Sequence, residues 1–277
     1  MRRTISIVAF ATLLAACGSG ESSETTVGTA PPTTAGGNAD SVVLTVTSEG
    51  GFVPVEFNLD RLPRFQLMSD GRLFSVGPVP AIFPGPMLTN VQVTMVDDDL
   101  RGEIDALIEE LGLADIDERI DDSGAEMIAD ATTEFITYHD ESGTHRLGIY
   151  ALGLTEGVPA SSDRILATEL VEILDEAAAT GEATTYIPEQ LQVAAGPGME
   201  EPGMSTEQPW PLNMDFEDMA DWGVGWRCTA VSGDAVAPLL EIFGEANQAT
   251  LWGPDRLGIR ARPLLPGETA CGGAPEG

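Results

Sequence analysis

The stretch FQLMSDGRLFSV, residues 65–76, places an Asp-Gly dipeptide between two short apolar segments. This pattern predicts a β-hairpin, because Asp-Gly readily adopts the positive φ angles of a tight turn. Further along, DDDLRGEIDALIEELG, residues 97–112, repeats apolar residues three and four positions apart after a run of aspartates. The repeat predicts an amphipathic helix with an aspartate cap and an end at Gly112. Strands followed by a helix of this kind indicate a fold that mixes the two.

The same succession recurs toward the C-terminus. The further predicted elements are a hairpin over 133–152 that turns through 140–143, helices over 162–179 and 234–245, and strands over 249–252 and 257–263. The residues expected to face the core are Leu100, Ile104, Leu107, Ile108 and Leu111 in the first helix, Ile165, Leu166, Leu170, Ile173, Leu174 and Ala177 in the second, and Val236, Leu239, Leu240 and Phe243 in the third. We therefore expect an α+β fold of antiparallel hairpins, each followed by an amphipathic helix.

The first 40 residues have the composition of an export signal and a tether. Arg2 and Arg3 precede a short apolar run, which predicts a secretory signal peptide over residues 1–16. The tetrapeptide LAAC that ends at Cys17 resembles the lipobox of bacterial lipoproteins, and this resemblance implies that Cys17 is acylated and becomes the first mature residue. The alternative is an ordinary secretory signal with a chance cysteine. Residues 17–40 are rich in Gly, Ser, Thr and Pro and predict a disordered tether.

The remaining chain is long enough for one large domain or two small ones. A second interval rich in Gly, Pro, Met and Glu, residues 196–211, interrupts it. We expect this interval to connect an α+β lobe over 41–195 with a disulfide-bridged lobe over 212–277. The alternative is a long surface loop within a single fold.

The charge of the chain limits its partners. Its 13 basic residues are all arginine and face 45 carboxylates. Removal of residues 1–16 leaves 11 arginines and hence a formal charge of −34. Such an acidic protein is a poor partner for nucleic acid or for an anionic membrane surface, so we predict neither as a ligand. The membrane contact that we predict runs instead through acyl groups on Cys17.

Two cysteines remain after Cys17 is assigned to lipid. Cys228 and Cys271 form an even pair in an oxidising compartment, which predicts a disulfide bond. In the chain-entropy model a closed loop of this length stabilises the fold by about 4 kcal/mol. A redox pair is the alternative, but the C-x-x-C spacing typical of one is missing.

Two kinds of residue group could bind a metal: the histidine pair and the acidic clusters. His139 and His145 flank a predicted hairpin turn, and their rings share a face only if the loop has an odd number of residues. An even loop places the rings on opposite faces. Carboxylates cluster at 97–99, 115–118 and 121–122, but their spacing does not fit an EF-hand. A helix cap and turns explain them better, so we predict no metal and no cofactor.

Few residues of the chain suggest catalysis. Nucleophile-elbow, zinc-protease and phosphate-loop motifs are missing, and the chain has no lysine and two histidines. A pair of carboxylates assembled in space, as in glycosidases, is the enzymatic alternative. The four tryptophans, Trp210, Trp222, Trp226 and Trp252, would suit a ligand or protein contact, but we favour the interpretation that they form the core of a small lobe. The proline-rich segment 76–87 is either a recognition strip or a stiff connection.

Several segments resemble uncharacterised secreted lipoproteins of actinobacteria. The segments are residues 62–71, 128–133, 150–152 and 262–268, together with His145 and Cys271. The resemblance covers most of 50–277 and implies no activity and no functional residues. We therefore expect a membrane-anchored lipoprotein on the outer side of the cytoplasmic membrane or in the cell envelope. It would act as a non-enzymatic binding or structural module with an envelope protein or glycan as partner. The alternative is an envelope hydrolase that acts on polysaccharide or peptide through paired carboxylates.

Overall fold

A computed structural model describes residues 41–53, 58–123, 128–154 and 161–272. The predicted signal peptide over 1–16, the tether over 17–40 and the lipidation of Cys17 lie outside these ranges. The described residues form one compact unit of mixed helices and sheets, as the α+β prediction requires. In the part of the chain that the structure describes, no helix is long and apolar enough to cross a membrane.

The larger sheet has eight strands in the order β5-β7-β6-β1-β2-β3-β4-β8. They are β1 (Val42–Gly50), β2 (Phe65–Met68), β3 (Arg72–Val76), β4 (Val91–Met95), β5 (Glu118–Asp121), β6 (Thr132–Asp140), β7 (Gly143–Tyr150) and β8 (Thr184–Thr185). All neighbours pair antiparallel except β5 and β7. Strands β2 and β3 form the hairpin that the Asp-Gly pattern predicts, with Phe65 opposite Ser75.

Two helices cover one face of this sheet. Helix α1 (Asp98–Glu110) begins after Asp97, whose carboxylate accepts a hydrogen bond from the backbone N–H of Leu100, and it is followed by Gly112 at a φ of 62°. Helix α2 (Ser162–Thr180) begins after Ser161, whose hydroxyl accepts from the N–H of Arg164. Apolar side chains of both helices and of the sheet form one core. The two predicted helices and the inner face of the first are therefore confirmed.

The predicted inner face of α2 contains one error. Ile165 is 53% exposed, while the preceding residue, Arg164, is 4% exposed. The Arg164 guanidinium donates hydrogen bonds to the backbone carbonyls of Tyr150 and Ala151. These carbonyls lie where β7 ends and the chain turns away at Ala151, which has a φ of 55°. Arg164 therefore occupies the buried place that the apolar pattern assigned to Ile165, and its guanidinium binds these two carbonyls.

The second sheet has six strands in the order β10-β13-β14-β9-β12-β11. They are β9 (Gln190–Gly196), β10 (Glu207–Gln208), β11 (Ala220–Gly223), β12 (Trp226–Ser232), β13 (Leu251–Trp252) and β14 (Leu257–Pro263). Helix α3 (Val236–Gly244) packs on it through Val236, Leu239 and Phe243. Trp222, Trp226 and Trp252 are buried in this part of the fold, as the core interpretation of the tryptophans predicts.

Strand β9 lies at the centre of the second sheet, between β12 and β14. The division proposed from sequence ended the first lobe at residue 195, so it separated β9 from the strands with which it pairs. The interval 196–211 also contributes a short strand, β10, which pairs parallel with β13. The division into two lobes stays a prediction.

The two sheets meet at the face of the larger sheet that α1 and α2 leave open. Met68 and Phe74 pack there against Leu265. Tyr186 contacts the Phe74 ring edge-on, and its hydroxyl donates to the carbonyl of Leu264. These contacts leave part of the face uncovered.

Cys228 and Cys271 have the geometry of a disulfide bond, with their Cα atoms 5.7 Å apart. Cys228 lies on β12 in a small buried cluster with Leu59, Trp222 and Trp226. The bond therefore fastens the C-terminal segment to the second sheet.

Candidate functional site

The two histidines lie on opposite faces of the β6–β7 hairpin. Asp140 pairs with Gly143, so the loop has two residues, and His139 lies opposite Thr144 while His145 lies opposite Tyr138. This is the even register, in which the two rings cannot share a metal. In the described ranges no three His, Cys, Asp or Glu side chains lie together as a metal site would need.

Asp140, Ser142 and His145 meet at the hairpin turn in a way that superficially suggests a catalytic triad. The Nε2 atom of His145 lies 3.1 Å from both the Asp140 carboxylate and the Ser142 hydroxyl. In a triad the acid and the nucleophile contact opposite ring nitrogens. Here Nδ1 instead lies 2.6 Å from the carbonyl of Ile116 and donates to it. Hydrogen bonds among the three residues therefore hold the turn in one conformation, and the His145 ring connects the turn to Ile116.

The charges of this turn reinforce one another. The carbonyl of Ile116 and the carboxylate of Asp140 raise the pKa of His145 above 6.5, because both accept hydrogen bonds from the ring. Hydrogen bonds from Ser142 and His145 lower the pKa of Asp140 to about 2. Burial, with a contribution from His145, lowers the pKa of His139. His139 is therefore a neutral ring at pH 7, with Nδ1 beside the Thr144 hydroxyl at 3.1 Å.

Asp97 and Asp121 of the acidic clusters have structural partners. Asp97 caps α1, and Asp98 and Asp99 lie in its first turn. Asp121 accepts hydrogen bonds from Ser123 and Ser161, and these outweigh the effect of burial and lower its pKa. The side chain thereby connects β5 to the start of α2.

One concave site lies between the two sheets. It has a volume of about 850 Å³, within the usual range for small-ligand sites. We call it the intersheet cleft. It is lined by Val42, Thr45, Thr47, Ser48, Glu49, Gly50, Asn58, Arg61, Leu62, Pro63, Gln66, His139, Trp222, Arg262, Gly267, Glu268 and Gly272.

Each wall of the cleft comes from a different part of the chain. Thr45 and Thr47 of β1 and His139 of β6 form the floor, since alternate residues of a strand face the same side. The loop between β1 and β2 supplies Asn58 and Arg61. The opposite wall comes from the second sheet and the C-terminal segment. Sequence reasoning missed this site because no local motif unites its residues; among them, only His139 and Trp222 were considered as residues of a binding site.

The buried side chain of Gln192 connects two walls of the cleft. It is 4% exposed on the central strand β9. Its Nε2 donates to the carbonyl of Leu59 at 2.6 Å, and its Oε1 accepts from the N–H of Cys271 at 2.8 Å. One buried amide thus joins the loop that carries Arg61 to the disulfide segment that carries Gly272. Both walls depend on this side chain for their position.

A buried ion pair also supports the loop. The carboxylate of Asp60 lies 3.6 Å from the Arg260 guanidinium of β14. Burial raises the pKa of Asp60, although Arg260 opposes this effect. The pair fixes the residue that precedes Arg61.

The two carboxylates that line the cleft are both engaged in ion pairs. Glu49 lies 2.6 Å from the Arg146 guanidinium, which also contacts Glu118 and lies over the Phe135 ring. Glu268 accepts from Arg262 at 2.7 Å and from the backbone N–H of Leu265 at 2.8 Å. Glu268 therefore holds the turn after β14 in place. These contacts give both carboxylates a structural role.

Arg61 differs from the other charged groups of the cleft. Its guanidinium donates to the carbonyl of Ser48, which lies two residues beyond Val46, the last residue of β1 that pairs with β2. Among the described residues it has no carboxylate within ion-pair distance. Arginine binds carboxylates with a planar fork of donors, so Arg61 is a ready site for an anion.

No family model matches this chain, and neither the curated proteins nor the solved structures contain a match. The functional interpretation therefore depends on the site itself.

Proposed function

We propose that the protein is a membrane-anchored extracytoplasmic lipoprotein that binds a saccharide of the cell envelope in the intersheet cleft and does not act as an enzyme. The anchor is the acylated Cys17, and residues 17–40 tether the folded part to the membrane. In this proposal the two sheets act as two lobes whose junction is the binding site. The observation that carries it is the cleft of about 850 Å³ lined by hydroxyl, amide and charged groups.

The chemistry of the lining supports a saccharide. Thr45 and Thr47 present hydroxyls, Asn58 presents a carboxamide, and His139 presents a neutral ring. Such groups donate and accept hydrogen bonds without imposing a fixed charge, which suits a ligand rich in hydroxyls.

Rigid walls support binding rather than catalysis. The disulfide, the Gln192 amide and the Asp60–Arg260 pair each fasten the cleft from behind. Preformed sites bind with a smaller loss of conformational entropy than sites that must order themselves. The hydrolase alternative needs a pair of carboxylates facing the ligand, and Glu49 and Glu268 are both engaged by arginines.

The test is binding of the full chain to an array of defined neutral and acidic saccharides. We expect wild type to retain at least one saccharide and Thr47→Trp to lose it, because the larger side chain fills the floor of the cleft. Thr185→Trp is the matched control, since Thr185 is an exposed strand threonine outside the cleft. The proposal would be contradicted if wild type bound no saccharide on the array, or if Thr47→Trp bound the same saccharide as strongly as wild type does.

A further inference from the structure

Most arginines of the mature chain lie close to a carboxylate. Eight of the 11 lie within ion-pair distance of a carboxylate: Arg64, Arg72, Arg101, Arg119, Arg146, Arg256, Arg260 and Arg262. This is expected where carboxylates outnumber arginines so strongly. The three exceptions among the described residues are Arg61, Arg164 and Arg227.

Two of the exceptions each donate to two backbone carbonyls. Arg164 donates to two carbonyls at the end of β7. Arg227 donates to the carbonyls of Glu217 and Met219 and lies over the Phe216 ring. Arg61 has one carbonyl, that of Ser48. A guanidinium carries five N–H donors, so Arg61 keeps most of its capacity for a ligand.

We propose that the saccharide bound in the intersheet cleft is acidic, with a single carboxylate that Arg61 binds. This inference rests on the proposed function and names the ligand class for the same site. Arg61 supplies the charge and the donors for the carboxylate. The threonine hydroxyls and the Asn58 amide of the cleft contact the sugar hydroxyls.

The charge of the surroundings favours a monoanion over a phosphate. Glu49 and Glu268 line the same cleft, and the mature chain carries a formal charge of −34. A phosphate dianion would meet the same Arg61 guanidinium as a carboxylate but about twice the repulsion. One planar fork matches the two oxygens of one carboxylate.

The experiment measures dissociation constants of the full chain by calorimetry for four probes. They are the disaccharide of glucuronic acid and glucose, its neutral methyl ester, the all-glucose disaccharide, and the phosphate monoester of the all-glucose disaccharide. We expect the acid to bind about 10- to 100-fold more tightly than its methyl ester, because charge-assisted hydrogen bonds contribute an effect of that size. The phosphate monoester should bind more weakly than the acid.

Variants of the protein test whether Arg61 binds the carboxylate of the saccharide. Arg61→Gln should remove the preference for the acid over the ester, and Arg61→Lys should keep part of it, because the charge stays while the planar fork is lost. Arg101→Gln is the control: Arg101 belongs to an exposed pair with Asp105 on α1, and the preference should be unchanged. Urea denaturation of each variant confirms that it is folded at the assay temperature.

The outcomes distinguish failure of the inference alone from failure of the proposed function as well. Equal binding of acid and ester, a preference that survives Arg61→Gln, or tighter binding of the phosphate monoester overturns the inference and leaves a saccharide-binding cleft. Failure of all four probes, while another saccharide on the array binds and is lost in Thr47→Trp, also overturns the inference alone. Failure of every saccharide on the array overturns both.

Discussion

Removal of the Cys228–Cys271 bond should lower the free energy of unfolding by about 4 kcal/mol. The bond closes a loop with a sequence separation of 43 residues. The chain-entropy model assigns such a loop an entropy of about 13 cal/mol/K, which is about 4 kcal/mol at 25 °C. With a urea m-value of about 2.5 kcal/mol/M, the midpoint of unfolding should fall by about 1.6 M.

The assay is equilibrium urea denaturation of the full chain with Cys228→Ala/Cys271→Ala and of wild type with and without reductant. Because Cys228 is 1% exposed, the double variant also loses the packing of a buried sulfur. Reduced wild type keeps both sulfurs and isolates the effect of the bond. We expect reduced wild type to fall by the amount given above, the double variant to fall at least as far, and reductant to leave the double variant unchanged.

Two results would refute this reasoning. If thiol reagents label both cysteines in unfolded, unreduced protein, the bond does not form. If the bond forms but reduction leaves the midpoint unchanged, closure of the loop does not restrict the unfolded chain, and the entropy argument fails for this protein.

Three further predictions concern the anchor, the hairpin turn and the back of the cleft. Cys17→Ser should move the protein from the membrane fraction to the soluble fraction and abolish incorporation of a labelled fatty acid; an unchanged distribution would contradict acylation. Because the pKa of His145 is raised above 6.5, its stabilising effect is fully present below pH 6.5 and is lost as the pH rises through the raised value. Urea midpoints from pH 5.5 to 9 should therefore fall more steeply for wild type than for His145→Gln, and identical slopes would count against it. Gln192→Leu should destabilise by about 2–4 kcal/mol, because two buried backbone groups lose their partner, whereas exposed Gln208→Leu should change stability by less than about 0.5 kcal/mol in the same denaturation assay.

Local patterns predicted the local elements. The hairpin over 65–76 and helix α1 depend on turn residues, caps and apolar spacing that lie within one short segment. The register of the β6–β7 hairpin was left open because the sequence fits a loop of two or three residues. The hydrogen bonds of Asp140 to Ser142 and Gly143 accompany the shorter loop. The prediction that Ile165 is buried was wrong for a tertiary reason, because the neighbouring Arg164 turns inward to donate to the carbonyls of Tyr150 and Ala151.

The cleft could not be predicted from sequence, because long-range pairing assembles it. Its lining combines β1, the following loop, the end of β6 and the C-terminal segment. No local sequence pattern indicates the role of Gln192, because its amide partners, Leu59 and Cys271, are distant from it in the chain. The central place of β9 depends likewise on strands that follow it in the chain.

That central place has a consequence for the order in which the chain folds. Strand β9 emerges from the ribosome before both of its neighbours, β12 and β14. Its residues Leu191, Val193, Ala194 and Ala195 are fully buried in the finished sheet, so until residue 263 is available the strand has an apolar surface and an open edge. Unpaired edges of this kind are sites of intermolecular association. A nascent chain, or one cut before β14, would therefore need a chaperone or rapid completion to stay monomeric.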